Sequence, residues 1–287
     1  MRAFPRRELR IRIALALLVG GVVAVCAAVV FGPPFALAGV IAAAVELLVS
    51  TRRFRARKRL LAEPFPESFR RILRERVPYY SALSGGRKGR FEDDVRIFLA
   101  EQRIMNSEGG PVDEPTRVLI AASAAMLGNG MPDFEWPTLR DIVVYSRAFN
   151  ADFSSGGRGE LAGVVHARGP VVLSRRDLTH GFARPKDGHN VALHELAHVI
   201  DFEDQNADGV PGDLPFVATA PWVRAIADRL RKVQKRRYPK LLRAYAGTNE
   251  AEFFAVAVEA FFEKPKELEA KDPELYAMLA SYFRQRP

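Results

Sequence analysis

Cysteine is almost missing from this chain. Cys26 is the only one in 287 residues, so no disulfide can form within the chain and no metal site can be built from several thiolates. Negative charge is scarce at one end. Residues 1–59 hold eleven Arg or Lys against only Glu8 and Glu46, which accounts for the whole formal net charge of +9. Residues 60–287 therefore have no excess of positive charge to follow a phosphate backbone, and direct nucleic-acid binding is not expected. The basic run from Arg229 to Lys240 almost lacks interleaved aromatics and reads as a solvated helix face. Internal repeats and low-complexity tracts are absent as well.

The basic N-terminal segment brackets two apolar stretches. Ile13–Phe31 runs 19 residues without a charge, Pro33-Pro34 interrupts it, and Phe35–Val49 continues for 15 residues with only Glu46 inside. The first run is long enough to cross a bilayer core, and the second is short for one. Arg2, Arg6, Arg7, Arg10 and Arg12 precede the pair, while Arg52, Arg53, Arg55, Arg57, Lys58 and Arg59 follow it. Positive residues stay on the cytoplasmic side, so a two-helix hairpin with both ends in the cytoplasm satisfies both flanks, whereas a single span would translocate one. A cleaved signal peptide would use Ala36-Leu37-Ala38, but its apolar region would exceed the usual length of about 7–15 residues. The expected organisation is a membrane anchor over 1–59 and a globular domain over 60–287.

Within that domain the apolar spacing predicts helices over Glu67–Arg76, Phe91–Met105, Glu114–Leu127, 190–204, 222–236, 249–263 and 272–284, with glycine turns at Gly85-Gly86 and Gly109-Gly110. Short valine-rich runs predict strands at Ile142–Tyr145, Gly163–His166 and Val171–Ser174. The expected fold class is α+β, mostly helical with a small β-sheet. An edge strand at Val171–Ser174 beside a metal helix would offer a peptide substrate a pairing partner.

The most informative feature is His194-Glu195-Leu196-Ala197-His198. On a helix, residues four apart stack on one face, so both imidazoles can hold one metal ion with Glu195 beside it. Asn190 is a suitable N-cap, and neither Gly nor Pro interrupts the segment before Gly209. This is the arrangement of a zinc hydrolase, and a catalytic zinc takes three protein ligands and leaves one position open. His166, His180 and His189 all precede the motif without helical relation to it and read as surface or supporting residues. Downstream, Asn249 or Thr248 can cap a helix rich in aromatics that also carries Glu250, Glu252 and Glu259. An acid among aromatics needs a partner such as a metal, and by spacing all three glutamates compete. Asp201 can orient a ligand imidazole or cap the helix. The run Asp204–Gly209 imitates the start of a calcium-binding EF-hand loop, but the twelfth position is Pro215, so it reads as a turn.

Several motifs in order, FPESF, IVVYSRAF, VVLSRRD, DGHNVALHELAHVIDFED, TNEAEFFAVAVEAFF and LYAMLASYF, resemble the zinc peptidase family of the bacterial Mlc titration factor A, related to the protease core of anthrax lethal factor. The resemblance runs from about Leu61 to the C-terminus. It implies a zincin-like metallopeptidase in which His194, His198 and Glu252 bind one Zn²⁺, Glu195 is the general base and Tyr245 points its hydroxyl at the site. It also implies a peptide or protein substrate, and as a rival role, sequestration of a transcriptional repressor. Lethal factor has a second acid one turn after its glutamate ligand, where this chain has Val256, and Glu259 is the nearest replacement. Residues 1–59 lie outside the resemblance. Their charge pattern predicts that the peptidase domain faces the cytoplasm, and with the bacterial family it resembles the expected location is a bacterial inner membrane.

Overall fold

The computed structural model describes residues 6–131, 133–139, 141–146 and 169–287, which divide into two compact units, Met1–Phe65 and Pro66–Pro287. The strand expected at Gly163–His166, with His166, lies outside the described residues.

The first unit is a helical hairpin. Helix α1 (Arg6–Phe31) and helix α2 (Leu37–Ser50) are joined by a 3-10 turn at Pro33–Ala36, and α3 (Arg52–Ala62) follows. The turn continues the second helical stretch to Pro33–Ser50, 18 residues, or ~27 Å at the helical rise, so both stretches are long and apolar enough to cross a membrane. Small residues let the two backbones touch. A Cβ on Gly39 would lie 2.3 Å from the Gly20 carbonyl oxygen and 2.5 Å from the Ala24 Cβ. The larger apolar side chains face outward, with Leu17 67% and Val29 79% exposed. The Arg12 guanidinium sits 5.2 Å from the centre of the Phe54 ring. Arg12, on the N-terminal side of the apolar run, and Phe54, just after the hairpin, therefore meet at one end of it.

The second unit is mostly helical around a small sheet, the α+β architecture expected. Helices α4 (Glu67–Arg76), α5 (Pro78–Ala82) and α6 (Gly85–Glu101) lead into strand β1 (Ile104–Asn106). Gly85-Gly86 thus opens a helix rather than forming a turn, and the helix expected to reach Met105 stops at Glu101. The reason is tertiary: Ile104, Met105 and Asn106 pair in parallel with Ile142, Val143 and Val144 of β2 (Ile142–Tyr145). Strand β3 (Val171–Ser174) pairs in parallel on the other side of β2, with Val144 opposite Leu173, so it is an edge among the described residues. Helix α7 (Glu114–Gly128) crosses between β1 and β2 and is buried on nearly every face from Val118 to Gly128, as an apolar helix through the core must be. Asp113 caps it by accepting the Thr116 N–H at 2.9 Å.

After β3 come α8 (Arg175–Ala183), α9 (Val191–Asp201), α10 (Phe216–Gln234), α11 (Glu250–Glu263), α12 (Pro265–Lys271) and α13 (Pro273–Phe283). Helix α10 starts six residues earlier than its spacing predicts, because Pro221 is accommodated in its exposed first turns. Helix α11 forms the centre of this half. Phe253, Phe254 and Phe261 are fully buried, each stabilising the fold by ~1.5–3 kcal/mol relative to exposure.

Candidate metal centre

Helix α9 carries the HELAH segment and is fixed at both ends. Its N-cap Asn190 accepts the Leu193 N–H through the side-chain oxygen at 3.2 Å. Ala192, Leu193, Leu196, Ala197 and Ile200 are buried, which turns His194 and His198 together toward α11. The helix ends in a 3-10 turn at Phe202–Asp204, and Gln205 takes a left-handed conformation with φ 75°. Gly209, at φ 76°, then passes so close to α11 that a Cβ there would lie 2.5 Å from the Glu250 carbonyl oxygen. The Trp222 indole N–H donates to the Gly209 carbonyl at 2.9 Å. The EF-hand-like run is therefore a turn that docks the end of α9 onto the start of α11.

Helix α11 starts at Asn249, whose side chain accepts the Glu252 N–H at 2.9 Å. Of the three competing glutamates, Glu252 reaches the histidines. Its Oε2 lies 3.1 Å from His194 Nε2 and 3.4 Å from His198 Nε2, and the two Nε2 atoms are 3.2 Å apart. Tetrahedral bonds of ~2.0–2.1 Å to zinc set ligand atoms ~3.3–3.4 Å apart, so the triangle has the dimensions of one face of a zinc tetrahedron. Glu252 Oε2 is also buried and accepts no hydrogen bond among the described residues. Two imidazole nitrogens and a carboxylate oxygen converge at this spacing, and this donor set fits a metal ion. Opposing burial, the His194 and His198 rings hold the Glu252 carboxyl below the usual carboxylate range. Burial favours neutral His194, but Glu252 and Glu259 prevail and push it up to about 10.

Glu259 lies behind His194 instead. It is fully buried, with Oε2 3.4 Å from His194 Nδ1 and Oε1 accepting the Asn190 N–H at 2.9 Å. It thus places an acid behind His194, while Val256 supplies none. Glu250 is exposed and lies away from the cluster. Tyr245 sits in a 3-10 turn over Ala244–Gly247 and donates its hydroxyl to Glu252 Oε1 at 3.0 Å. Burial, followed by the Glu252 and Glu195 carboxylates, raises the Tyr245 hydroxyl well above its ordinary value, so it remains a proton-bearing donor. Glu195 is half-buried on α9, near enough for its charge to act on both His194 and Tyr245.

Three other residues singled out by the sequence lie around this centre. Asp201 makes no hydrogen bond to a ligand imidazole. It is buried against the turn at 208–210, and burial, then Asp208, push it up to about 8. His180 is exposed, while His189 is half-buried next to the site. Two further residues shape the centre. Arg243 forms a close ion pair with Glu259 Oε2, and Glu263 accepts the Gly188 and His189 N–H groups at 2.8 and 2.9 Å. Glu263 could have been suspected, since Glu252, Glu259 and Glu263 fall on one stripe of the helix at spacings of seven and four.

Known proteins bear on this geometry. The chain is 29% identical to the uncharacterized protein slr2042 of Synechocystis over 242 residues, 80% of this chain and 88% of that one. It is 34% identical over 137 residues to Mlc titration factor A of Edwardsiella ictaluri, covering 46% of this chain and 51% of the relative. The Enterobacter protein of that name is 25% identical over 228 residues, 74% and 84% of the two chains. The sequence profile of the glucose-regulated metallo-peptidase M90 family matches residues 51–284, and the chain therefore belongs to that family, together with the Mlc titration factor A relatives that its motifs resemble.

Proposed function

We propose that this protein is a membrane-anchored zinc peptidase, with residues 1–59 as the anchor and 60–287 as the peptidase domain. The observation that carries the reading is the meeting of His194 Nε2, His198 Nε2 and Glu252 Oε2 from two helices, with Glu195 and Tyr245 beside them. Two imidazoles and one carboxylate suit Zn²⁺, and a set of three protein ligands is typical of catalytic rather than structural zinc. Zinc bound there supplies Lewis acidity and lowers the pKa of water from about 15.7 toward about 7.

The remaining steps belong to side chains of the chain. Glu195 accepts a proton from the attacking water and delivers it to the leaving amine. The Tyr245 hydroxyl, freed from Glu252 Oε1, donates to the oxyanion as the carbonyl becomes tetrahedral. Glu252 keeps its charge at neutral pH because the two imidazoles hold its carboxyl down. An extended peptide finds a parallel edge at Val171–Ser174, a strand that packs against α9. The contact of Arg12 with Phe54 brings the two ends of the hairpin together, and with the positive residues that flank it in sequence this supports insertion in a bacterial inner membrane with the peptidase domain on the cytoplasmic side.

The test is hydrolysis of a diverse peptide library by the full chain, with metal content determined on the same sample. About one zinc per chain, and cleavage abolished by a chelator and restored by zinc, is the expected result. Cleavage indifferent to chelation would overturn it. A second reading is favoured by the name of the relatives, since Mlc titration factor A describes titration of another protein. Under that reading the chain sequesters a transcriptional repressor and its metal serves stability. Repressor capture without hydrolysis of any peptide would support it.

A further inference from the structure

The 3-10 turn before α11 and α11 itself form a two-rung ladder. Tyr245 and Arg243, two residues apart, meet Glu252 and Glu259, seven residues apart. One rung ends on the carboxylate that completes the metal triangle. The other ends on a carboxylate that contacts a metal-binding imidazole from behind.

Glu259 is fully buried and serves three segments at once. Its Oε1 accepts the Asn190 N–H at 2.9 Å, its Oε2 faces His194 Nδ1 at 3.4 Å, and the same Oε2 is paired with the Arg243 guanidinium. For His194 Nε2 to offer its lone pair to a metal, the ring proton must sit on Nδ1, where an anionic acceptor holds it. A carboxylate this far from water keeps its charge beside a fixed positive group, and the Arg243 guanidinium is a permanent cation in contact with it. The guanidinium is about a third exposed, while the acid it meets is not exposed at all. A pair of that kind on the surface would contribute little, but the acid of this one is buried against His194, a member of the metal triangle.

We propose that Arg243 is a positioning residue of the metal centre: through Glu259 it fixes the tautomer and orientation of His194, and so sets the affinity of the site for its metal. The proposal rests on the metallopeptidase reading above. It predicts that the loss of a group with no contact to the three donor atoms weakens metal binding, and that the loss passes entirely through Glu259.

The experiment measures zinc affinity of the full chain by competition with a chromophoric chelator, alongside thermal unfolding of the metal-free chain. Arg243→Gln should weaken zinc binding by roughly 10–100-fold, the usual cost of removing support for a ligand. Arg243→Lys, which keeps the charge, should recover most of that loss. The double variant Arg243→Gln with Glu259→Gln should bind zinc no more weakly than Glu259→Gln alone. It also removes the buried charge together with its partner, so it carries the test if Arg243→Gln does not fold. A merely structural role would lower unfolding temperature in the metal-free chain and leave zinc affinity at the wild-type value, which would overturn the proposal. So would losses that multiply in the double variant. If the wild-type chain itself takes up no zinc, the metallopeptidase reading fails at that step, separately from any result on Arg243.

Discussion

The two units of this chain use burial in opposite ways. In Met1–Phe65, large apolar side chains such as Leu17 and Val29 point outward, and the interior contact is made by Gly20, Ala24, Gly39 and Ala43. In Pro66–Pro287, the aromatics are inside, and charge is buried with them. Glu259 is fully buried beside Arg243, and Arg229 lies under the surface held by Asp272 at 2.6 and 2.8 Å. The first pattern suits a solvent as apolar as the side chains, where close backbone packing rather than the hydrophobic effect holds helices together. The second suits water outside and chemistry inside. Buried charge is costly to desolvate, and it is retained where it is paired or where a metal compensates it.

That contrast can be broken at several points. His194→Ala should have the largest effect, since it removes one of three donors: metal content falls from about one per chain to none, and hydrolysis drops by at least ~10³-fold. Metal analysis after gel filtration reads the first, and a peptide assay the second. Phe254→Ala, at a fully buried position on α11, should cost ~3–5 kcal/mol in a denaturant titration of the second unit.

A smaller effect is expected from Asp201→Asn, through pH. The folded Asp201 carboxyl lies near 8, above its unfolded value of about 3.8, so the native state holds the proton longer than the unfolded state does. Stability at this site is therefore lost as pH rises from about 4 to 8. The asparagine variant should unfold less readily than wild type at pH 8, by ~1–3 kcal/mol, and the advantage should vanish near pH 4. The smallest effect on the metal centre should come from Gly39→Leu, where any Cβ collides with the Gly20 carbonyl. The hairpin should become more sensitive to protease in detergent, while zinc content and unfolding of the second unit stay within ~0.5 kcal/mol of wild type. A change in zinc content would show that the units are coupled.

Local chemistry made much of this legible in the sequence. The i, i+4 histidines, the Asn190 and Asn249 caps and the glycine that lets the turn meet α11 each depend on a few neighbouring residues, and each stands where its residue type predicts. What pairs across the chain was not legible. Strand β1 is three residues long and exists because β2 accepts it, and the apolar periodicity of α6 had extended through it. The first turns of α6 are polar and glycine-rich, so no apolar stripe marks its start. Arg243 lies sixteen residues before Glu259 and carries no mark distinguishing it from the other basic residues of a basic chain. The glutamates of α11 show the limit within one helix: spacing put Glu252 and Glu259 on one stripe, and only the packing of α9 against it separates the acid that joins the metal triangle from the acid that stands behind His194.

Glu195 is the residue on which the account turns, because it sits beside the three donor atoms without being one of them. The most direct measurement is peptide hydrolysis by Glu195→Gln with zinc content determined on the same preparation. The account predicts about one zinc per chain, as in wild type, and a rate lower by at least ~10³-fold. A glutamine variant that binds zinc and cleaves peptides within a few fold of wild type would contradict it.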